Sequence, residues 1–78
     1  MDHILIVDDD TQLAGLLREY LQGEGLQVSL AHDGEAGVEL ALDLQPDLVV
    51  MDVMMPGTDG ITALRHLRER SSMPVLML

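Results

Sequence analysis

The sequence predicts a single α/β domain built on a parallel β-sheet. Short aliphatic runs, too short for helices, alternate with longer segments of helical periodicity in the order βαβαβαβ. Strands that alternate with helices of about 10–15 residues form parallel sheets, whose right-handed crossovers place the helices on the sheet faces. The 78 residues allow one small domain at most, and a hydrophobic content of 47% is adequate for its core.

The first strand and first helix are predicted from residues 3 to 23. His3–Val7 is a continuous aliphatic run, typical of a strand buried on both faces. Gly23 and Gly25 end the helix that follows, as glycine does just past a helix end. Its apolar residues have the spacing i, i+3, i+4, i+7, i+8, which forms one stripe of the helix: Leu13, Leu16, Leu17, Tyr20 and Leu21. Without the last helix of a complete α/β domain, the leucines of this stripe are expected to be incompletely covered.

The second strand and second helix occupy the middle of the chain. Val28 and Leu30 belong to a weaker strand signal, and Asp33 is a plausible N-cap for the helix after it. Pro46 ends that helix. The apolar residues of the helix are Val38, Leu40, Ala41 and Leu44.

The remaining elements are a third strand, a third helix and a fourth apolar run. The strand is predicted at Leu48–Met51, and Thr58 or Asp59 is expected to cap the helix. Pro74–Leu78 is the fourth run, in which the sequence ends. In the third helix, the residues expected to be buried are Ile61, Leu64 and Leu67. Those expected to face water are Arg65, Arg68 and Glu69.

The charge and composition narrow the function classes. Fourteen Asp and Glu face four Arg and no Lys, for a net charge of -10, and the chain has no Cys. Nucleic-acid binding by this segment is disfavoured because phosphate contacts need clustered cations, and an anionic membrane surface is disfavoured for the same reason. Absent cysteines exclude disulfides and thiolate catalysis. With no apolar run of roughly 18 residues and no leader, we expect a soluble, cytoplasmic protein.

Carboxylates follow the first and third predicted strands directly. Asp8, Asp9 and Asp10 follow the first, and Asp52 follows the third. Open α/β sheets bind ligands beyond the carboxyl ends of their strands, so neighbouring strands would bring Asp8, Asp9 and Asp52 together. Crowded carboxylates repel one another, and a few hard oxygen ligands suit Mg²⁺. A metal site is therefore predicted, with Asp10 as a helix cap; capping by all of Asp8–Asp10 is the simpler alternative.

Two segments resemble the receiver domains of two-component response regulators. They are Ile4–Asp10 and Pro46–Gly60, and the match runs in register along the whole chain. The resemblance implies a flavodoxin-like, doubly wound parallel sheet with the strand order 2-1-3-4, continued by a fifth strand in complete receivers. We expect residues 1–78 to be a partial receiver domain, without the last strand, the last two helices or an output domain.

The resemblance also implies the site and its partners. Asp52 would be the phosphoacceptor, which takes a phosphoryl group from a histidine kinase. Asp9 and Asp52 would ligate Mg²⁺ directly, Asp8 through a water molecule, and Met54 through its backbone carbonyl. Pro56 and Gly57 would shape the loop that holds this carbonyl.

The same resemblance indicates what the 78 residues lack. Receivers have a Thr or Ser after the fourth strand and a Lys after the fifth, and both contact the phosphoryl oxygens. This sequence stops before either position and contains no Lys. The implied role is a phosphoacceptor and not an enzyme, and we expect slow or absent phosphorylation of the 78 residues alone.

Three other functions are compatible with parts of the sequence. A haloacid-dehalogenase-type phosphatase would need Thr or Val where Gln12 stands, although Asp8 and Asp10 fit its motif. A dinucleotide site at Gly23–Gly25 fails because Val28 replaces the third glycine and the motif follows a helix. The third alternative, that this segment binds protein partners without being phosphorylated, stays open.

The histidines and methionines are assigned structural roles, and the edge of the sheet is expected to pair with a second copy of the chain. We interpret His3, His32 and His66 as solvated or capping residues. An apolar, uncharged fourth strand at the sheet edge predicts a homo-oligomer joined through Pro74–Leu78. Methionines are expected to fill the core of a chain without Phe or Trp: Met51, Met54, Met55, Met73 and Met77.

Overall fold

The predicted elements form in the predicted order in a computed structural model, which describes residues 2–78. They are β1 (His3–Val7), α1 (Thr11–Gly23), β2 (Gln27–Ala31), α2 (Gly34–Leu44), β3 (Leu48–Met51), α3 (Gly60–Arg68) and β4 (Val75–Met77). The fourth strand is therefore shorter than the apolar run that predicted it. Within the described part of the chain, no helix combines the length and the apolarity needed to cross a membrane.

The strands form one parallel sheet with the order β2-β1-β3-β4, which confirms the predicted order. The register decides where the acidic residues lie. Val7 of β1 pairs with Met51 of β3, and the N–H of Asp52 donates to the carbonyl of Val7 at 2.9 Å. Asp8 and Asp52 therefore leave the sheet side by side, at the carboxyl ends of adjacent strands.

The core has two parts, one on each sheet face, because successive strand residues point to opposite faces. Leu5 lies on the face that α2 and α3 cover, and it is completely buried. Ile6 lies on the opposite face, which α1 covers. The helical residues buried with Leu5 are Val38, Ala41, Ala63 and Leu67.

The apolar stripe of α1 is covered only in part by the described residues. Leu16 and Tyr20 are 64% and 67% exposed, and Leu13 is 45% exposed. The helix instead rests on the sheet through the buried Ala14, with Leu17 and Leu21 packed beside it. With 3.6 residues per turn, Leu16 and Tyr20 project well away from that contact arc, and Leu13 lies at its margin. 

In the third helix, the predicted burial of one residue is wrong. Ile61, expected in the core, is 45% exposed, whereas Ala63 and Leu67 are fully buried. In α2, Leu44 is also largely exposed, at 41%. A helix packed on a sheet buries a narrower arc than its apolar residues suggest, and the smallest side chain marks the closest approach.

An aspartate caps each of the three helices described. The carboxylates of Asp10, Asp33 and Asp59 accept from the N–H groups of the third residue on, at 3.0, 2.7 and 2.8 Å. This arrangement confirms Asp10 and Asp33 as caps and selects Asp59 over Thr58. The backbone hydrogen bond from Thr62 is the main cause that lowers the pKa of Asp59.

Candidate functional site

Three carboxylates converge at the carboxyl edge of the sheet, as the sequence predicted. One oxygen from each of Asp8, Asp9 and Asp52 lies within 4.8 Å of the other two. Asp8 and Asp9 follow β1, and Asp52 follows β3, so the parallel pairing of these strands creates the cluster. Asp10 is directed to the α1 N-terminus instead, through its hydrogen bond to Leu13.

Asp8 is the buried member of the cluster, with 8% of its surface exposed. Its N–H donates to the carbonyl of Ala31 in β2 at 3.0 Å, and its Oδ1 accepts the N–H of Asp10 at 2.9 Å. Burial is the largest cause that raises the pKa of Asp8, and the neighbouring charges of Asp52, Asp9 and Asp10 raise it further. The hydrogen bond from Asp10 opposes this shift.

Asp52 and Asp9 are more accessible. Asp52 is partly buried, and its Oδ1 accepts the backbone N–H of Met54 at 3.1 Å. Asp9 is exposed to solvent. The carboxylate of Asp8 is thus buried, while those of Asp9 and Asp52 are accessible enough to exchange solvent for a ligand.

The loop after Asp52 has the glycine-dependent turn that the sequence predicted, but the side chain of Met54 lies in solvent and not in the core. Gly57 has a φ of 79°, in the left-handed region that glycine adopts without strain. Met55 is buried as expected, but Met54 is 82% exposed, so its assignment to the core was wrong. The hydrogen bond of its N–H to Asp52 holds Met54 on the solvent side of the turn. Ligation by its carbonyl stays a prediction.

Two residues of the site were missed by the sequence reasoning. The Nδ1 atom of His32 lies 3.1 Å from the carbonyl oxygen of Asp8. Gly60, the first residue of α3, approaches the main chain of Asp52 so closely that a Cβ there would overlap it. The position of His32 directly after β2, the neighbour of β1, was the available signal for the first. No pattern signalled the second, because it depends on how α3 crosses β3.

The raised pKa of Asp8 leads to a pH-dependent prediction. The folded chain binds this proton more tightly than the unfolded chain, so its stability falls as pH rises through the interval between 3.8 and the raised value. Asp8→Asn removes the ionised carboxylate and keeps an oxygen acceptor for the N–H of Asp10. The variant should be more stable than the wild type above that interval, without added cations, and should lose the advantage as pH falls through it.

Urea unfolding at a series of pH values measures this difference. Asp59, with its lowered pKa, contributes stability that is lost as pH falls, but it is present in both proteins and cancels in the comparison. A constant difference across the pH range, or a less stable Asp8→Asn at neutral pH, would contradict the prediction.

The fold and the site together define a class of protein. It is an open parallel α/β domain with an acidic cluster at the sheet edge where such domains bind their ligands. Comparison with known families identifies the particular one: residues 4–78 match the response regulator receiver domain. The chain belongs to this family.

Curated relatives agree with this assignment. The Escherichia coli strain K12 transcriptional regulatory protein CpxR is 50% identical over 78 residues, which is all of this chain and 33% of CpxR. ResD of Bacillus subtilis strain 168, also a transcriptional regulatory protein, is 41% identical over 75 residues, which is 96% of this chain and 31% of ResD. The chain thus spans about a third of the length of these relatives.

Solved structures share the fold over nearly the whole chain. The Vibrio cholerae chemotaxis protein CheY4 superimposes with a TM-score of 0.92 and 30% identity, over 99% of this chain and 67% of CheY4. The response regulator TrrA of Thermotoga maritima, in complex with Mg²⁺ and BeF, has a TM-score of 0.92 and 32% identity. That match covers 99% of this chain and 68% of TrrA.

Proposed function

We propose that this chain is the phosphoacceptor module of a cytoplasmic two-component system, in which Asp52 receives a phosphoryl group from a histidine kinase with Mg²⁺ bound. The observation that carries the proposal is the convergence of the Asp8, Asp9 and Asp52 oxygens within 4.8 Å. One aspartate would suffice for capping, and Asp10 already does so for α1.

The donor set fits Mg²⁺. Carboxylate oxygens are the hard ligands that this cation prefers, and it is usually held by one or two of them together with several waters. Asp9 and Asp52 are accessible enough to ligate directly, and buried Asp8 is suited to hold a ligated water. The carbonyl of Met54 completes the set that we propose. When bound, Mg²⁺ neutralises charge that develops on the transferred phosphoryl group.

The residues of the chain then account for the transfer step. Because Oδ1 of Asp52 accepts the Met54 N–H, its other carboxylate oxygen, Oδ2, is our candidate nucleophile. An O–P bond forms at this oxygen while the P–N bond of the kinase phosphohistidine breaks. The imidazole nitrogen keeps the electron pair of that bond, and Asp52 becomes an acyl phosphate. Such transfers rest on positioning and charge, which the fixed carboxyl edge of the sheet supplies.

The relatives' names point to the output of the larger protein. CpxR is a transcriptional regulatory protein. MtrA of Mycolicibacterium paratuberculosis, which is 44% identical over 75 residues (96% of this chain and 33% of MtrA), is a DNA-binding response regulator. We propose that this module serves a regulator of the same kind. With a net charge of -10, residues 1–78 are unsuited to contact DNA themselves.

Phosphorylation by a small-molecule donor tests the proposed function. The chain is incubated with phosphoramidate and Mg²⁺, and the modified residue is located by mass spectrometry after borohydride reduction. We expect a Mg²⁺-dependent acyl phosphate at Asp52 that forms slowly, because each missing preorganised donor costs on the order of 10²–10³ in rate. Asp52→Asn should abolish the label, whereas Asp10→Asn should keep it.

A chimaera distinguishes a slow site from an absent one. The receiver residues of E. coli CpxR that follow its matched segment are joined after Leu78, which supplies the Thr or Ser and the Lys that the family uses. The chimaera should be labelled much faster than the 78 residues. Unlabelled Asp52 in both polypeptides would refute the proposed function, and rapid stoichiometric labelling of the 78 residues would refute the role given to the missing donors.

A second candidate function, association through the fourth strand, is considered for the 78 residues by themselves and is favoured by the exposure of that strand. In the sheet formed by residues 2–78, β4 lies at an edge, and Leu76 and Leu78 are 50% and 65% exposed. Edge strands with apolar, uncharged side chains are templates for pairing with another chain. We propose that the 78-residue polypeptide forms a homodimer in which two fourth strands pair about a two-fold axis.

Substitution of Leu76 tests this association. Leu76→Lys places a charge on the pairing edge and should shift the polypeptide to monomer in sedimentation velocity at high micromolar concentration. Leu16→Lys is the matched control, since Leu16 is also exposed, at 64%, but lies on α1. A folded wild-type monomer of 8.5 kDa, or equal dissociation by both substitutions, would contradict the prediction.

A further inference from the structure

The main chain of Asp8 is held at two points by the end of β2 and the residue that follows it. Its N–H donates to the carbonyl of Ala31 at 3.0 Å, as a continuation of the β1–β2 pairing. Its carbonyl oxygen lies 3.1 Å from Nδ1 of His32. His32 is followed by Asp33, the cap of α2, so this segment is itself anchored to a helix.

The contact requires a particular state of the imidazole. A carbonyl oxygen can only accept a hydrogen bond, so Nδ1 of His32 must carry the hydrogen. The imidazole is exposed overall, which leaves Nε2 without this constraint. His32 thus donates its Nδ1–H to the carbonyl of the peptide that joins Asp8 to Asp9.

That peptide sets the position of Asp9. The Asp8 carboxylate is already fixed by its burial and by the N–H of Asp10. The Asp9 side chain is exposed, so its direction depends on the main chain that carries it. A donor that fixes the plane of the Asp8–Asp9 peptide therefore fixes the relation of one accessible carboxylate to the buried one.

We propose that His32 is a positioning residue of the acidic cluster: its Nδ1–H holds the Asp8–Asp9 peptide in the orientation that binds a divalent cation. The inference rests on the proposed function, because it assumes that the cluster binds Mg²⁺. It assigns to the β2–α2 connection a role in cation binding without contact to the cation.

The tautomer of His32 tests the contact itself. Long-range ¹H–¹⁵N correlation spectra of the neutral imidazole distinguish hydrogen on Nδ1 from hydrogen on Nε2. We expect the Nδ1–H form at His32. A predominant Nε2–H form would overturn the inference, because His32 would then have no hydrogen to donate to Asp8.

Two substitutions of His32, by side chains that both branch at Cγ, test the consequence for Mg²⁺ binding. In His32→Asn the amide nitrogen can take the place of Nδ1 and donate, whereas His32→Leu has a similar branch and no donor. By calorimetry with MgCl₂, His32→Leu should weaken Mg²⁺ binding about tenfold, the low end of the range for groups that orient metal ligands. His32→Asn should restore most of the affinity. Without Mg²⁺, both variants should melt at similar temperatures.

The outcomes separate this inference from the proposed function. Normal Mg²⁺ binding by the wild type and by His32→Leu overturns the positioning role and leaves the proposed function intact. Equal weakening in the Leu and Asn variants also overturns it, since the donor would then be irrelevant. Absence of Mg²⁺ binding in the wild type overturns both.

Discussion

Asp9→Asn is expected to abolish the rise in melting temperature that Mg²⁺ produces in the wild type. A cation that binds only the folded state at about 100 times its Kd adds about 2.7 kcal/mol to the free energy of unfolding. For a domain of this size that corresponds to a rise of roughly 10–20 °C. Asp9 is the accessible carboxylate on the β1 side of the cluster, and an amide there removes a charged ligand while it relieves repulsion in the absence of the cation.

Asp10→Asn is the matched control for this experiment. Asp10 neighbours Asp9 but points to α1, where asparagine caps about as well as aspartate. This variant should keep the response to Mg²⁺ at constant ionic strength, which excludes a general screening of the net charge of -10. An equal rise in the wild type and in Asp9→Asn would remove the metal site from the account.

Gly60→Ala is expected to be strongly destabilising. A Cβ at this position would overlap the carbonyl oxygen of Asp52 and lie 2.8 Å from the Cα of Val53. These neighbours are backbone atoms that the β3 pairing and the hydrogen bond from the Gly60 N–H to Val53 hold in place. Overpacking against such atoms costs about 1–3 kcal/mol and sometimes more. The same displacement would move Asp52, so Mg²⁺ should also stabilise the variant less.

Gly15→Ala gives the opposite expectation with the same chemical change. No atom outside its own helix and chain neighbours lies within 4 Å of a Cβ at Gly15, in the interior of α1. Alanine there should stabilise the chain by about 0.5–1 kcal/mol, because it is the better helix former. Urea denaturation measures both variants, and a neutral Gly60→Ala would show that the β3–α3 crossing can relax.

The acidic cluster could be anticipated because it depends on short-range patterns. Asp8 and Asp52 each follow an aliphatic strand directly, and parallel strands end at the same edge. Once Val7 pairs with Met51, the meeting of these carboxylates is a matter of register alone. The strand order 2-1-3-4 was implied by the resemblance to receivers and is the order observed.

The errors arose where packing, and not periodicity, decides the outcome. Ile61 fits the apolar stripe of α3, but the buried Ala63 and Leu67 determine which arc of this helix meets the core. Met54 is apolar, but its N–H donates a hydrogen bond to Asp52, and this turn places the Met54 side chain in solvent. The position of His32 directly after β2 indicates that it lies near the end of β1, but its contact with Asp8 depends on a side-chain rotamer, which the sequence pattern does not determine.

The central claim is that Asp52 accepts a phosphoryl group beside a cation held by the acidic cluster. A crystal structure of the chain with Mg²⁺ and beryllofluoride, the class of ligands present in the TrrA complex, tests it most directly. We expect beryllofluoride on a carboxylate oxygen of Asp52 and Mg²⁺ ligated by Asp9, Asp52 and the Met54 carbonyl, with Asp8 bound to a ligated water. Mg²⁺ bound away from these residues, or beryllofluoride on any other carboxylate, would contradict it.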